Sequence, residues 1–475
     1  MTKAIVIGSG PNGLAAAVTL ARNGVEVTVL EAADEVGGGT RSAELTVPGL
    51  LHDECSGFHP LAVDNAFTRS VDLADHGLRW SRPDVQYAHP LDGGGGAAVW
   101  QDVSTTARHL FDDGARWAQV FGTLATHFPD IADDFLRPML RVPQHVLKLG
   151  MFGAFAGPPA SWVARLWRTE EARALFAGAA AHSFRPLDSL LSSAIGVALG
   201  TAAHTYGWPV AEGGSRSIAR AMCASLESSG GTVETGIRVD ALADLPASDI
   251  VMLDTSPAAA VRIVGDALPG RVARGLSRFR HGPGAFVVNF AVEGGIPWTY
   301  EPARRAGTLH LGGRFDEIAA AEAAINRGHM PEKPFVLLGQ QYLADSQRSR
   351  GGVHPVDAYA HVPAGYDGDA TRAIEDQIER FAPGFRDRVI ARNVRTTTEV
   401  AAGNANFVGG DIVSGANSAM QLVFRPRPAL DPYSLGVPGL FLCSAATPPG
   451  AGAHGMAGYN AAMSALAQCG GDRRA

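Results

Sequence analysis

Three glycines close to the amino terminus have the spacing needed to hold the pyrophosphate of a dinucleotide. Residues 3–7 form an apolar run that predicts a strand, a glycine turn follows at 8–13, and residues 14–23 predict a helix. Gly8 allows a tight turn, Gly10 leaves room for the pyrophosphate beside the backbone, and Gly13 allows helix and strand to pack closely. Unpaired N–H groups at the helix N-terminus favour phosphate. The predicted dinucleotide contacts are therefore Gly8, Ser9, Gly10, Pro11, Asn12 and Gly13.

An acidic residue stands at the end of the next predicted strand. Residues 25–30 are mostly apolar and lead to Glu31, about 20 residues beyond the glycine turn. A carboxylate at this position accepts hydrogen bonds from a ribose and disfavours the phosphorylated ribose of NADP. A helix that merely begins with flexible glycines would not explain the acid. Glu31 and Ala32 are therefore candidate cofactor-binding residues.

A second glycine cluster at 37–41 helps to choose between NAD and FAD. Its glycines would let the backbone pass close to a bound dinucleotide, and Arg41 could reach a phosphate oxygen. Together with the glycine turn, this cluster resembles the FAD-binding segment of the amine oxidase and phytoene desaturase flavoproteins. The resemblance implies FAD as the cofactor. The candidate contacts in this cluster are Gly38, Gly39, Thr40 and Arg41.

The composition is typical of a large globular protein. With 475 residues, of which 46% are hydrophobic, the chain is long enough for two large domains. The net charge of −7 argues against nucleic-acid binding driven by phosphate contacts. The four cysteines are scattered without a CxxC pair, so we expect no metal site and no disulfide framework. The chain has no apolar run long enough to span a membrane and no signal-peptide pattern, which favours a cytoplasmic location.

The order of predicted elements indicates an α/β fold in which one domain interrupts another. Helices are expected at 104–128, 160–176 and 187–201, and a strand is expected at 231–243. Strands of an antiparallel sheet are expected at 284–293, 307–311, 334–343 and 353–362. We predict a Rossmann-like FAD-binding domain built from 1–70, 205–283 and 430–475. An inserted α+β substrate domain, an antiparallel sheet with helices, would comprise 71–204 and 284–429.

The carboxy-terminal region repeats the pattern of strand, glycine loop and helix. Residues 439–443 predict a strand, the loop 444–458 is rich in glycine and alanine, and residues 459–469 predict a helix. N–H groups at the start of such a helix could face the pyrimidine oxygens of a flavin, which gain negative charge on reduction. The candidate flavin contacts are Ser444, Ala445, Gly455, Met456 and Ala457.

Six stretches together resemble the phytoene desaturase-like FAD oxidoreductases, in particular the branch that contains pyridine nucleotide-disulphide oxidoreductase domain-containing protein 2. They occur in the family's order over most of the chain, at 6–32, 37–42, 207–222, 281–292, 409–428 and 436–462. The resemblance implies a noncovalent FAD and a substrate domain inserted between the segments that bind it. It also implies that a strand containing Arg238 and Val239 passes the adenine, with backbone contacts from Val239.

The resemblance also draws attention to two histidines and one serine. Ser444 stands where the family usually has a glycine beside the pyrophosphate. His454 stands where the family usually has a small or β-branched residue near the flavin, which makes it a candidate acid or base. His59 is the second candidate catalytic residue, in the active-site wall. For both histidines an ordinary loop position is the alternative, and His182 and His204 are expected to be core or surface residues.

The predicted activity is dehydrogenation of a carbon–carbon bond by hydride transfer to the flavin N5, and the family resemblance suggests an apolar or cyclic small-molecule substrate. Double-bond isomerisation or saturation, amine oxidation, and a non-catalytic binding module of the Rab escort type are the alternatives. An apolar stretch at 147–167 is either a helical core with a loop or a functional surface, which would be a substrate tunnel or a site of peripheral membrane contact.

Overall fold

A computed structural model describes residues 2–472 of the chain. The strands are β1 Lys3–Ile7, β2 Glu26–Leu30, β3 Ser42–Ala43, β4 His52–Asp53, β5 Trp80–Ser81, β6 Val85–Pro90, β7 Gly96–Trp100, β8 Val210–Ala211, β9 Thr232–Glu234, β10 Ile250–Leu253, β11 Gly284–Glu293, β12 Ala306–Leu311, β13 Val336–Gly339, β14 Val353–Val362, β15 Val389–Arg395 and β16 Leu440–Leu442. The α-helices are α1 Pro11–Arg22, α2 Ala66–Ser70, α3 Val103–His109, α4 Gly114–Trp117, α5 Thr123–Thr126, α6 Phe128–Phe135, α7 Val146–Ala156, α8 Ala160–Val163, α9 Glu170–Ala181, α10 Ser193–Thr205, α11 Arg216–Ser228, α12 Pro257–Val264, α13 Gly270–Ser277, α14 Phe315–Asn326, α15 Thr371–Phe381, α16 Thr397–Gly403, α17 Ala419–Phe424 and α18 Met456–Asp472.

The first sheet is parallel and has helices on both faces. Its five strands lie in the order β16-β10-β1-β2-β9. Along β1, Ala4 and Val6 pack with α1, α11 and α18, whereas Ile5 and Ile7 pack with α12 and α13. A parallel sheet that is buried on both faces needs apolar residues on both faces, which explains the unbroken apolar run of this strand. The predicted Rossmann-like domain is confirmed.

Helix packing brings the carboxy-terminal helix beside the amino-terminal turn. Helices α1 and α18 cross at Gly458, where a Cβ atom would lie 1.8 Å from the carbonyl oxygen of Asn12. Only glycine allows this approach. The loop before α18 is therefore held next to the glycine turn before α1.

The second sheet is largely antiparallel and has two chemically different faces. Its seven strands lie in the order β15-β11-β14-β13-β12-β6-β7, and only the β12–β6 pair is parallel. One face forms an apolar core with α15. On β14, Val356, Ala358 and Ala360 belong to that core, whereas Asp357 and Tyr359 point to the opposite face because successive side chains alternate.

The strands of each sheet fall within the predicted segments. All five strands of the parallel sheet lie in 1–70, 205–283 and 430–475, and all seven strands of the second sheet lie in 71–204 and 284–429. Strands β11 and β14 have the predicted bounds. The boundaries between the two domains stay a prediction.

Several secondary-structure predictions are wrong, and for two of them the hydrogen bonds show the reason. The strand expected at 231–243 covers only Thr232–Glu234, because Gly236 turns the chain with φ +72° and the N–H of Ile237 then bonds to the carbonyl of Glu31. Arg238 and Val239 therefore follow the strand instead of belonging to it. The helix expected at 160–176 is divided, since the carboxylate of Asp113 accepts the N–H groups of Arg168 and Thr169, and Thr169 then caps α9.

A helix must be both long and apolar to cross a membrane. Within residues 2–472, no helix is both long enough and apolar enough to cross a bilayer.

Candidate functional site

One cavity of about 870 Å³ runs between the two sheets. At one end it is lined by the glycine turn before α1, and on another side by the loop that precedes α18. Its far end reaches the polar face of the second sheet. The predicted cofactor contacts that line it are Gly8, Gly10, Pro11, Asn12, Glu31, Ala32, Gly38, Gly39, Thr40, Arg41, Val239, Ser444 and Ala445.

The glycine turn has the geometry that the sequence predicted. Gly8 has φ +101°, in the left-handed region that favours glycine. A Cβ atom on Gly13 would lie 2.1 Å from the carbonyl oxygen of Gly8, so no side chain fits between the turn and the helix. Gly10 ends the turn and begins α1, which starts with Pro11 and has no side-chain cap. The N–H of Gly13 bonds to the carboxylate of Asp254, and the rest of the helix start borders the cavity, where a ligand could reach it.

The carboxylate of Glu31 holds the glycine turn in place through hydrogen bonds. Its carboxylate accepts the N–H and the hydroxyl of Ser9 at 2.8 and 2.7 Å, and the N–H of Ala33 at 2.9 Å. Ser9 is consequently buried and does not line the cavity. Glu31 itself borders the cavity, and because a carboxylate has about four lone-pair sites, it can still accept a hydrogen bond from a ligand.

Asp254 is a residue of this site that the sequence analysis did not identify. It follows β10 directly and lines the cavity, and its Oδ2 accepts the N–H of Gly13 at 2.9 Å. A Cβ atom on Gly10 would lie 2.6 Å from the same oxygen. Burial raises the pKa of Asp254 to about 7, and the nearby charge of Glu31 adds to this, while the N–H groups of Gly13 and Gly10 oppose it.

Two buried polar groups in this part of the cavity have no hydrogen-bond partner among residues 2–472. Oδ1 of Asn12 and Oγ1 of Thr255 make no hydrogen bond, and both residues line the cavity. Buried polar groups in folded proteins are nearly always hydrogen-bonded. Unpartnered groups beside a glycine turn are what a bound dinucleotide would satisfy.

The second glycine cluster lies against the turn. A Cβ atom on Gly38 would lie 3.1 Å from Cα of Gly10. Arg41 donates to the carbonyls of Glu35 and Gly403 and lies 3.5 Å from Glu31. The segment 404–407, which the sequence analysis treated only as a loop, also lines the cavity.

The carboxy-terminal loop reaches the cavity with its first half and packs against helices with its second half. Ser444, Ala445 and His454 line the cavity. Gly455, Met456 and Ala457 are buried and do not line it, and a Cβ atom on Gly455 would lie 2.8 Å from Cβ of Ala15.

His454 is positioned as a neutral helix cap. Its Nδ1 accepts the N–H of Met456 at 3.1 Å, which explains why α18 begins three residues earlier than predicted. Burial lowers the pKa of His454 to about 4, against the effect of a hydrogen bond with the Ala451 backbone. His454 borders the cavity as an uncharged imidazole near pH 7.

His59 also lies in the cavity wall, with both ring nitrogens close to serine hydroxyls. Nε2 is 2.9 Å from Oγ of Ser215 and Nδ1 is 3.4 Å from Oγ of Ser56. Burial lowers its pKa to about 4. The predicted wall position fits this geometry. A role for either His59 or His454 as acid or base stays a prediction.

The far part of the cavity is a mainly apolar chamber. Its apolar lining comes from helices α6, α7 and α10, the loop before β8 and the second sheet, and it comprises Phe135, Leu149, Phe152, Ala156, Ala194, Ala198, Leu199, Trp208 and Leu337. Polar residues also reach it: His182 from the end of α9, Thr308 from β12 and Tyr359 from β14. His182 thus borders the cavity instead of lying only in the core or at the surface. Among residues 2–472, the carboxylates that line the cavity are Glu31 and Asp254, both beside the glycine turn.

For one of the residues that the sequence analysis did not identify, Asp254, the sequence does contain an indication of its role. Asp254 follows a short buried strand, and ligands of open α/β sheets bind at the carboxyl ends of the strands. His182 and Thr308 gave no comparable signal, because their place in the cavity depends on contacts between distant segments.

Comparisons with known proteins agree with this geometry. Residues 6–72 match the family described as NAD(P)-binding Rossmann-like domain. Pyridine nucleotide-disulfide oxidoreductase domain-containing protein 2 of Mus musculus is 23% identical over 547 residues, covering 97% of this chain and 92% of its own. Hydroxyneurosporene desaturase of Cereibacter sphaeroides is 30% identical over 169 residues, covering 34% of this chain and 33% of its own.

Among solved structures, a redesigned putrescine oxidase superposes with a TM-score of 0.61 at 17% identity, covering 98% of this chain and 99% of its own. At that identity the likeness concerns the fold alone. The chain is therefore homologous to the mouse and bacterial proteins, as the sequence resemblance predicted, and it has the fold of the oxidase.

Proposed function

We propose that this protein is an FAD-dependent oxidoreductase that dehydrogenates a carbon–carbon bond of an apolar or cyclic substrate. The observation that carries the proposal is a single cavity that joins the glycine turn, the carboxy-terminal loop and the apolar chamber. A dinucleotide whose phosphates lie at the turn would extend towards that loop and chamber. Sites of this kind are concave, mostly apolar and equipped with a few oriented polar groups.

The residues around the turn fit the adenosine and pyrophosphate parts of FAD. Apart from the Gly13 N–H that Asp254 binds, the start of α1 would offer backbone N–H groups to the pyrophosphate, and the unpartnered side-chain oxygens of Asn12 and Thr255 would make further hydrogen bonds to the dinucleotide. Glu31 would accept from the ribose, and Val239, which lines the cavity, would border the adenine. Bound there, FAD would supply the capacity to accept a hydride from a substrate carbon.

The other end of the cavity would orient the substrate and exclude water. Ser444, Ala445 and His454 form the part of the wall nearest the carboxy-terminal helix, and the apolar side chains of the chamber would hold a carbon skeleton. His454 and His59 are uncharged near pH 7 and are available to hold or move a proton at a ring nitrogen.

Dehydrogenation is favoured over amine oxidation because the described residues that line the chamber include no carboxylate. A protonated amine in an apolar chamber is best stabilised by a carboxylate; aromatic side chains such as Trp208 and Tyr359 line the chamber, but they supply no counter-charge. Among the described lining residues, both carboxylates lie at the turn and not in the chamber. The name of the bacterial relative, a desaturase, supports the same choice, and isomerisation or saturation of a double bond remains the second candidate.

The first experiment asks whether the purified protein carries FAD. We expect a flavin absorption spectrum and release of FAD on denaturation. Gly10→Ala should reduce FAD binding by about tenfold or more, because the added Cβ would lie 2.6 Å from Asp254 Oδ2 and fill the space beside the turn. Gly150→Ala in α7, where a Cβ meets no atom within 4 Å, should keep the flavin. A colourless wild-type protein without FAD would refute the proposal and favour a non-catalytic binding module.

Anaerobic mixing with candidate substrates separates the two remaining activities. Dehydrogenation should bleach the flavin in proportion to the product formed. Product formation without bleaching would instead identify an isomerase.

We further propose that the protein contacts membranes peripherally through exposed apolar side chains at 139–147. Val142 and Leu147 are 89% and 88% exposed, and Met139 is both exposed and part of the cavity lining. An apolar substrate could pass from the bilayer along this surface. We expect sedimentation with phosphatidylglycerol vesicles and a roughly tenfold loss of binding in Leu147→Ser.

Leu430→Ser, at a position that is 86% exposed elsewhere, is the matched control for this experiment. Equal sedimentation of the two variants would contradict the proposal. The cytoplasmic location stays a prediction that fractionation of cells would test.

A further inference from the structure

Two side chains in the wall of the apolar chamber each have one polar atom without a hydrogen-bond partner among the described residues, namely Oγ1 of Thr308 and Nδ1 of His182. Thr308 is 1% exposed, lines the cavity and makes no hydrogen bond through Oγ1. His182 lines the cavity, and its Nε2 lies 2.9 Å from Nε2 of His310. Thr308 and His310 are two residues apart on β12 and therefore face the same side of the sheet, roughly 7 Å apart. His182 and Thr308 both line the chamber, and His310, which contacts His182, lies on the same face of β12 as Thr308.

The hydrogen-bond partners determine which nitrogen of His182 carries a proton. His310 is fully buried, and its Nδ1 has no partner. A buried N–H without an acceptor is rarer than a buried lone pair without a donor. His310 therefore carries its proton on Nε2 and donates it to His182. Since the Nε2 of His182 accepts, its proton is on Nδ1, which makes no hydrogen bond to the part of the chain that the structure describes.

Both histidines are uncharged. Burial lowers the pKa of His182 to about 3, and the nearby His361 contributes. Burial also lowers the pKa of His310 far below its usual range, with further effects of His182, His89 and His361. The chamber accordingly offers a neutral N–H and a neutral hydroxyl. Such donors suit a neutral oxygen acceptor, because they bring no positive charge to pair with a buried carboxylate.

We propose that the Nδ1–H of His182 and the hydroxyl of Thr308 bind the carbonyl oxygen of the substrate, which is therefore an apolar ketone. A carbonyl oxygen has two lone pairs and can accept from both groups. The surrounding Leu199, Trp208 and Leu337 would contact its carbon skeleton. The inference rests on the proposed function only in taking this chamber as the substrate site.

Hydrogen bonds to a carbonyl also have a chemical consequence. Donors that are already oriented stabilise negative charge as it develops on the oxygen, and this makes the neighbouring C–H group more acidic. The pair is thus placed to favour dehydrogenation next to a carbonyl group over dehydrogenation of a plain hydrocarbon.

The test compares two probes of similar shape, 4-tert-butylcyclohexanone and tert-butylcyclohexane, by calorimetric binding to the full-length protein. We expect the ketone to bind about tenfold more tightly or better and its carbonyl stretching band to shift to lower frequency in the complex. Thr308→Val should weaken ketone binding about five- to tenfold and leave the hydrocarbon unaffected. The same variant should not lower stability, because the hydroxyl has no partner to lose.

Further variants separate binding from folding. His182→Gln retains a donor and should keep part of the ketone preference, whereas His182→Leu should lose it. Thr28→Val, outside the cavity, is the matched control. Equal affinity for the two probes, no binding of either, or an unshifted carbonyl band would overturn the proposal. Neither readout depends on flavin turnover, so a protein without FAD that still prefers the ketone would refute the proposed function and leave this subsite intact.

Discussion

Arg348→Met should lower the free energy of unfolding by about 3–5 kcal/mol, measured by chemical denaturation. Arg348 is fully buried between two carboxylates, at 2.6 Å from Asp53 Oδ2 and 3.2 Å from Asp345 Oδ2. It also donates to the carbonyl of Ala211 at 2.9 Å. Removing the guanidinium leaves two buried carboxylates without their counterion, and that uncompensated charge is the main cost.

The effect should extend to the cavity wall. The other oxygen of Asp53 accepts the N–H of Ser215 at 2.8 Å, and Ser215 in turn holds Nε2 of His59. A disturbed Asp53 therefore disturbs the segment that carries His59. We expect the double variant Arg348→Met/Asp53→Asn to recover part of the lost stability, because it removes one of the unpaired charges.

An exposed arginine that also pairs with two carboxylates serves as the control for the effect of burial on the loss of stability. Arg305 pairs with Asp84 and Glu301 but is 46% exposed in its side chain. Arg305→Met should cost about 1 kcal/mol or less, since solvent screens exposed pairs. Similar losses in the two variants would contradict the assignment of a special role to the buried pair.

Asp254→Asn should become progressively more stable than the wild type as the pH rises from 5 to 8. Folding raises the pKa of Asp254 from 3.8 to about 7, so the folded protein holds the proton more tightly than the unfolded chain. The resulting stabilisation is complete below about pH 4 and is lost as the pH rises through about 7. Between pH 5 and pH 8 the wild type should lose roughly 3 kcal/mol relative to the variant, which cannot ionise at this position.

The measurement is denaturation of the protein freed of any bound dinucleotide, because a nearby pyrophosphate would itself favour the protonated carboxyl. Asp266→Asn removes an exposed carboxyl and controls for the loss of one negative charge. A stability difference between Asp254→Asn and wild type that is independent of pH would show that Asp254 is ionised in the folded protein throughout this range.

Local sequence patterns were sufficient for the elements whose residues interact with near neighbours. The strand at residues 3–7, the positive φ of Gly8 and the bounds of β11 and β14 follow from apolar runs and from glycine spacing. Helix α18 begins earlier than predicted because His454, which looked like a catalytic residue in a loop, accepts the N–H of Met456. The hydrogen bond to the His454 side chain determined where the helix begins, and the hydrophobic periodicity of the sequence does not show such a bond.

The amino-acid sequence by itself determined the glycine turn and most strands of the parallel and antiparallel sheets, because these depend on residue type and short-range spacing. Tertiary structure decided the rest of the site. Gly13 meets Asp254 across 241 residues, His182 meets His310 across 128, and Arg348 meets Asp53 across 295. Hydrogen bonds and pKa values at these positions arise from burial and from partners that only the folded chain brings within reach.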